Sequence, residues 1–210
     1  NKTSIVNYGI KDPFTNKDFS KKKISDINKI KKINILSIGR LVPYKGQKYL
    51  IKAMNYLDNK KYNLTIIGNG PLNESLNKLS DNNNLKTNVS ILNNIDTIRK
   101  NILFENCHVF CLPSISRAEA FGIVLAEALS YGIPIITFKI PSSGTNFINK
   151  NNVTGFIVNE INEKELAKKI DEIFSNSKIY KQLCKNSRNH YLSHFKENEF
   201  ISKINMLFFQ

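Results

Sequence analysis

The sequence predicts an α/β domain built on a doubly wound parallel sheet, and three observations predict it. Short apolar runs of strand length alternate along the chain with segments of helical periodicity. The first two of those runs are closed by a glycine turn, at Gly39 and at Gly68. One central run, His108-Val-Phe-Cys-Leu112, is apolar on both faces, and the stretch from Gly122 to Tyr131 is apolar on nearly every side. A strand and a helix of that kind both belong inside a sheet covered by helices on its two faces. Ligands of such sheets sit at the carboxyl ends of the strands.

Residues 1–23 carry few periodic signals, and Asn7-Tyr-Gly9 and Asp12-Pro13-Phe14 are turn-like, so this stretch reads as a connecting segment. The basic run from Lys21 to Lys32 reads as a solvated connection. Ile33 to Ile38 is the first convincing strand; it ends at Gly39-Arg40-Leu-Val-Pro-Tyr-Lys45-Gly46. A helix is expected from Gln47, with Leu50, Ile51, Met54 and Leu57 on one face. Tyr62 to Ile67 is the second strand, closed by Gly68-Asn-Gly70-Pro71, and Pro71 is suited to open a helix running to about Leu79. Asn88 to Leu92 is a weaker third strand, followed by a helix over Ile95 to Leu103. After the central strand come a polar loop, the apolar helix and a strand over Ile133 to Phe138. Thr154 to Val158 is a last short strand. Glu163 to Phe174 is an amphipathic helix with Leu166, Ile170 and Ile173 on one face, and Lys178 to His194 and Glu197 to Phe209 read as two more.

At 210 residues, with 41% hydrophobic and 10% aromatic residues, the chain can bury a sizeable core. Its net charge of +14 favours anionic partners. The Lys excess accompanies an Asn- and Ile-rich composition, however, and its bulk reads as compositional habit. Basic runs interleaved with aromatics, which binders of single-stranded nucleic acid need, are lacking, so no nucleic-acid partner is expected. Peripheral contact with an anionic membrane surface stays open. Three cysteines (Cys107, Cys111, Cys184) are too few for a disulfide framework and suggest a reducing compartment; they read as core residues. No apolar run is long enough to span a bilayer and no leader pattern opens the chain. A cytoplasmic location is expected, with the inner face of the membrane as an alternative.

Several familiar sites are absent from the sequence. Gly68-Asn-Gly70 lacks the third glycine of a dinucleotide fingerprint, since Asn73 stands there, and there is no Walker motif. His108, His190 and His194 are too scattered for a metal site, and the last two read as one face of a surface helix. What remains is Arg40 and Lys45 at the carboxyl end of one strand, and Glu119 and Glu127 after another. Each alone is an ordinary surface or loop charge. Together they describe two cations and a helix N-terminus around a diphosphate, with acids for sugar hydroxyls. Glu127 is the one acid in the apolar helix, where a carboxylate is expected to be paired.

Gly39-Arg40-Leu…Lys45-Gly46, Ile67-Gly-Asn-Gly-Pro71, Leu112-Pro-Ser114, the Glu119-to-Glu127 segment and Thr154-Gly-Phe156 together resemble the C-terminal, nucleotide-sugar-binding domain of family-4 retaining glycosyltransferases of the GT-B fold. The resemblance covers about Ser4 to the C-terminus, and it is the combination that is specific. It implies a Rossmann-like domain over 24–195, an interdomain linker over 1–23 and a helix over 196–210 that crosses to an N-terminal acceptor domain missing from this chain. The apolar Met206-Leu-Phe-Phe209 end fits that crossing, with packing on this domain as the alternative.

By the same resemblance Arg40, Lys45 and Glu119 carry the catalysis. Arg40 and Lys45 are expected to bind the donor diphosphate, joined by the backbone amides of Ile123 and Val124. Glu119, with Phe121 and Gly122 beside it, is expected to hold donor-sugar hydroxyls, Glu127 the ribose, and the loop at Asn94-Ile95 the base. The implied donor is a UDP- or GDP-sugar and the implied acceptor a saccharide or lipid-linked saccharide of cell-surface polysaccharide synthesis. The implied transfer retains configuration, needs no metal or other cofactor, and is beyond this chain by itself. Two other readings keep the architecture and change the chemistry: a nucleotide-sugar epimerase, and a nucleotide-binding module without turnover.

Overall fold

The computed structural model describes residues 8–14, 27 and 30–208, with the side chain of residue 208 excepted. Most of the connecting segment over 1–23, most of the basic run from Lys21 to Lys32, and the side chains of Phe208 and Phe209 lie outside the described residues.

Among the described residues the strands are β1 (Ile33–Ile38), β2 (Tyr62–Ile67), β3 (Val89–Leu92), β4 (Val109–Leu112), β5 (Ile135–Phe138) and β6 (Gly155–Val158). They form one six-stranded sheet in the order β3-β2-β1-β4-β5-β6, every pair parallel. The order reverses between β1 and β4, so their carboxyl ends flank the crevice where doubly wound sheets bind ligands.

Side chains alternate between the faces, as the two-residue period of a strand requires. Ile33, Ile35, Tyr62, Leu64, Val109 and Cys111 point into one core. That core is covered by α1 (Gln47–Ala53), α2 (Asn73–Asn82) and α6 (Glu163–Ile173). Leu36, Phe110, Leu112 and Ile135 point into the other, beneath α3 (Thr97–Glu105), α4 (Ile123–Ser130) and α5 (Thr145–Ile148). There Phe104 stacks on Tyr131 at 5.1 Å between ring centroids. The long α7 (Ser177–His194) serves both cores, through Leu183 and Cys184 on one and Tyr191 on the other. All three cysteines are free and buried, and burial pushes the Cys111 thiol up.

Several boundaries differ from expectation for local reasons. α3 begins at Thr97 because the Asp96 carboxylate caps it, accepting from the Arg99 amide at 2.7 Å. The helix after Pro71 begins at Asn73, behind Leu72, and the one from Gln47 ends at Ala53 in a short 3-10 turn, Met54–Tyr56. A second 3-10 turn, Pro43–Lys45, falls in the loop expected after the first strand, and the four-residue α5 falls in a stretch for which no element was expected.

The described part of the first connection is tied down: Ile10 exchanges backbone hydrogen bonds with Phe195 and Glu197, and Asp12 pairs with Arg188 at 2.8 Å. The last helix, α8 (Glu197–Phe208), starts against Gly9 through Glu197 and Phe200 and leaves Ile201, Met206 and Leu207 exposed. His194 is exposed as expected, but His190 is half-buried against Phe195 rather than on the surface. Among the described residues no helix is long and apolar enough to cross a membrane.

Candidate functional site

The loop after β1 is shaped by its contact with the loop after β4. Gly46 has φ 64°, and a Cβ there would stand 2.0 Å from the Pro113 carbonyl oxygen. Only glycine fits that approach, and it brings the backbone of 43–46 against 113–115. The Ile115 amide donates to the Tyr44 carbonyl at 2.8 Å, stitching the two loops. The Gln47 side chain donates to the Arg40 carbonyl at 2.9 Å, fixing the start of the same loop.

On this frame Lys45 reaches across to Glu119, and its ammonium is in direct hydrogen-bonded contact with Oε2 of that carboxylate. The same oxygen accepts from the Ser114 hydroxyl at 2.7 Å. The Ser143 hydroxyl donates to the Glu119 carbonyl at 2.6 Å and the Gly144 amide to the Ala120 carbonyl at 2.7 Å. Glu119 is thus gripped at side chain and backbone, and it is buried, at 6% exposure. An acid so far from water needs this pairing.

Arg40, five residues before Lys45, is exposed, and among the described residues nothing holds its guanidinium. Three residues after Glu119, Gly122 stands at the N-terminus of α4 with φ 76°, and no side chain caps the helix there. The first-turn amides, Ile123 and Val124 among them, are therefore open to an anion. Phe121 rests between Tyr8 and Phe195, at 5.5 and 6.4 Å between ring centroids.

Here the expected burial is reversed. α4 is not buried all round: Ile123 is 45% exposed, and Val124 and Glu127 are half-buried. Glu127 faces α3, where both of its oxygens accept from the Lys100 ammonium at 3.1 and 3.3 Å. It lines a cavity of about 560 Å³ between α3, α4 and residues 9–13, together with Thr97, Phe104 and Tyr131. Burial, with the charges of Glu105 and Glu127 behind it, pushes the Tyr131 hydroxyl up to about 12. Ile95 is half-buried between β3 and α3, packed on the core beneath α3 and α4. The expected residues therefore fall into two groups: Lys45 in contact with Glu119, with Arg40 in the loop of Lys45 and the N-terminus of α4 three residues after Glu119, and Glu127 one turn along with Lys100. Lys100, Ser143 and Gln47 were not singled out in the sequence; nor was a role for Ser114, whose partners lie in distant loops.

Among the described residues no three His, Cys, Asp or Glu side chains cluster as metal ligands would. Chemically, the first group offers cations and free amides to a diphosphate and a fixed carboxylate to a polyol.

A family model described as glycosyl transferases group 1 matches residues 19–190. An uncharacterized glycosyltransferase of Haemophilus influenzae is 31% identical over 77% of this chain and 46% of its own length. The O-antigen chain mannosyltransferase C of Escherichia coli is 29% identical over 79% of this chain and 43% of its own. The chain therefore spans under half the length of these curated relatives. In fold it is similar to the Anabaena protein HepE, solved with UDP and glucose, with a TM-score of 0.81 and 20% identity over 97% of this chain and 56% of that one.

Proposed function

The chain belongs to the glycosyl transferases of group 1, and on that premise we propose that it is the donor half of a retaining transferase. It binds a nucleoside-diphosphate sugar, UDP- or GDP-linked, for transfer to a saccharide or lipid-linked saccharide. The observation that carries this reading is the Lys45–Glu119 contact at the carboxyl ends of β1 and β4, beside the uncapped N-terminus of α4. A cation that touches a carboxylate can face a phosphate with its remaining N–H groups while that carboxylate faces the adjoining sugar.

In this reading Arg40, Lys45 and the amides of Ile123 and Val124 meet the diphosphate. Glu119, flanked by Phe121 and Gly122, accepts from donor-sugar hydroxyls. Glu127 accepts from the ribose, and the turn at Ile95 borders the base. In the reaction the bond from the anomeric carbon to the diphosphate oxygen breaks and its electron pair leaves with the nucleoside diphosphate. The acceptor hydroxyl bonds to the same carbon from the face the diphosphate leaves, and its proton passes to the departing phosphate oxygen. Arg40, Lys45 and the helix N-terminus stabilise the charge that grows on that oxygen, an electrostatic role held in place beforehand. No metal takes part. In this reading an acceptor half completes the site, and Met206 and Leu207 of α8, which are exposed, are the residues proposed to meet it.

Titration calorimetry with UDP, GDP and ADP, with and without EDTA, tests the reading. UDP or GDP should bind more tightly than ADP, and EDTA should leave that affinity unchanged. Absence of binding by all three overturns donor recognition; binding lost with EDTA overturns its independence of metal.

A further inference from the structure

The Glu119 carboxylate has two oxygens with different surroundings. Oε2 accepts from both the Lys45 ammonium and the Ser114 hydroxyl. Among the described residues Oε1 has no hydrogen-bond partner, and the side chain keeps 8% of its surface open to solvent. A single bond from Lys45 would leave the carboxylate free to turn about its last torsion, which is broad and roughly two-fold for glutamate. A second donor on the same oxygen removes that freedom.

We propose that Ser114 is a positioning residue for recognition of the donor sugar. Its hydroxyl and Lys45 hold Oε2 between them, which fixes Oε1 as the oxygen presented to a sugar hydroxyl. This inference rests on the donor reading above and adds to it the residue that sets the direction of the carboxylate. The geometry leaves Ser114 no other task at this acid. It is 1% exposed, it touches no solvent that a ligand could displace, and a carboxylate can only accept from it. Its position is set by the neighbouring stitches, Pro113 against Gly46 and Ile115 to Tyr44, so the hydroxyl cannot follow the carboxylate if that turns away. The consequence is a separation of effects: Ser114 acts on the sugar through Glu119, whereas it has no bond to Lys45 and none to the amides of α4.

The test measures what the sugar adds to binding, taken as the affinity for UDP-glucose over UDP and for GDP-mannose over GDP, whichever base the chain binds. Ser114→Ala should reduce that ratio roughly five- to tenfold, as loss of one bond to a charged group implies, while changing affinity for the bare nucleoside diphosphate less than about twofold. Glu119→Gln should reduce the ratio at least as far, and adding Ser114→Ala to it should reduce it no further. Ser114→Cys, of similar size and a weaker donor, gives the same reading should the alanine variant not fold. If Glu119→Gln lowers the ratio and neither Ser114 variant does, the inference is overturned and the donor reading stands. If Ser114→Ala weakens bare nucleotide and sugar conjugate alike, its role is structural and the inference again fails. If Glu119→Gln leaves the ratio unchanged, the assignment of Glu119 to the sugar is what has failed.

Discussion

Lys45→Met separates the two tasks given to Lys45, because one is visible without any ligand. The Lys45 and Glu119 side chains are 12% and 8% exposed, so the methionine leaves a carboxylate buried without its counter-charge. Removing one partner of a buried ion pair costs about 3–5 kcal/mol. Ser114 still donates to Oε2 at 2.7 Å, which puts the expected loss at the lower end, about 3 kcal/mol. At about 2–4 °C per kcal/mol for a domain of this size, Tm should fall by roughly 6–12 °C. Adding Glu119→Met should recover part of that loss, since both charges then leave together, and the two changes should be non-additive by at least about 1 kcal/mol. Urea unfolding of the two single variants and the double gives all the terms. A Lys45→Met protein within about 0.5 kcal/mol of wild type, or additive single changes, would refute the idea that this pair is what allows Glu119 to be buried. The same variant should bind the nucleoside diphosphate at least about tenfold more weakly, and saturating ligand should then stabilise it less than wild type.

Arg40→Ala, by contrast, removes a guanidinium that nothing in the described structure holds, so stability should change by less than about 0.5 kcal/mol. Its affinity for UDP or GDP should fall at least about tenfold while the free nucleoside is nearly unaffected, read by calorimetry. Glu127→Ala should weaken nucleoside and nucleotide alike, and the 2′-deoxy nucleotide should be penalised roughly tenfold in wild type and far less in the variant. Equal deoxy penalties would leave Glu127 only its pairing with Lys100. His190 is pushed down to about 4 by burial, and further by the charges of His194 and Lys150, against a backbone hydrogen bond at Phe147. Below its ordinary value of 6.5 the unfolded chain takes up a proton that the folded one refuses, so stability is full above that pH and falls towards about pH 4. His190→Phe should flatten this part of the curve, and urea midpoints at about pH 7.5 and about pH 5 that shift equally in both proteins would contradict it.

What the sequence made legible follows from the range of the signals. Every strand was readable because each is a local apolar run, and the parallel order follows from their alternation with helices. α5 and the Pro43–Lys45 turn were not, because four and three residues are too few to show a period. Arg40, Lys45, Glu119 and Glu127 were singled out by their places after strands and the other candidates by the family resemblance, but the surroundings were misjudged for Glu119 and Glu127. The composition of α4 suggested that Glu127 is the buried acid. Whether a helix face is covered depends on what lies opposite, and Lys100, 27 residues earlier, holds that side open. Glu119 is buried because Lys45 and Gly46, some 74 residues earlier, lie against its loop. Nothing periodic announces such a contact. The Asp12–Arg188 pair, 176 residues apart, is illegible for the same reason.

On the donor reading, a nucleoside diphosphate seats its phosphates on the N-terminus of α4, between Arg40 and Lys45. The most direct measurement is an amide chemical-shift titration of the isotopically labelled chain with UDP or GDP and, separately, with the matching nucleoside. The amides of Ile123 and Val124 should show the largest shifts, and they should do so with the diphosphate and not with the nucleoside. Largest shifts on the far edge of the sheet, at β6 and Lys169, or equal shifts of Ile123 and Val124 with both ligands, would contradict the account.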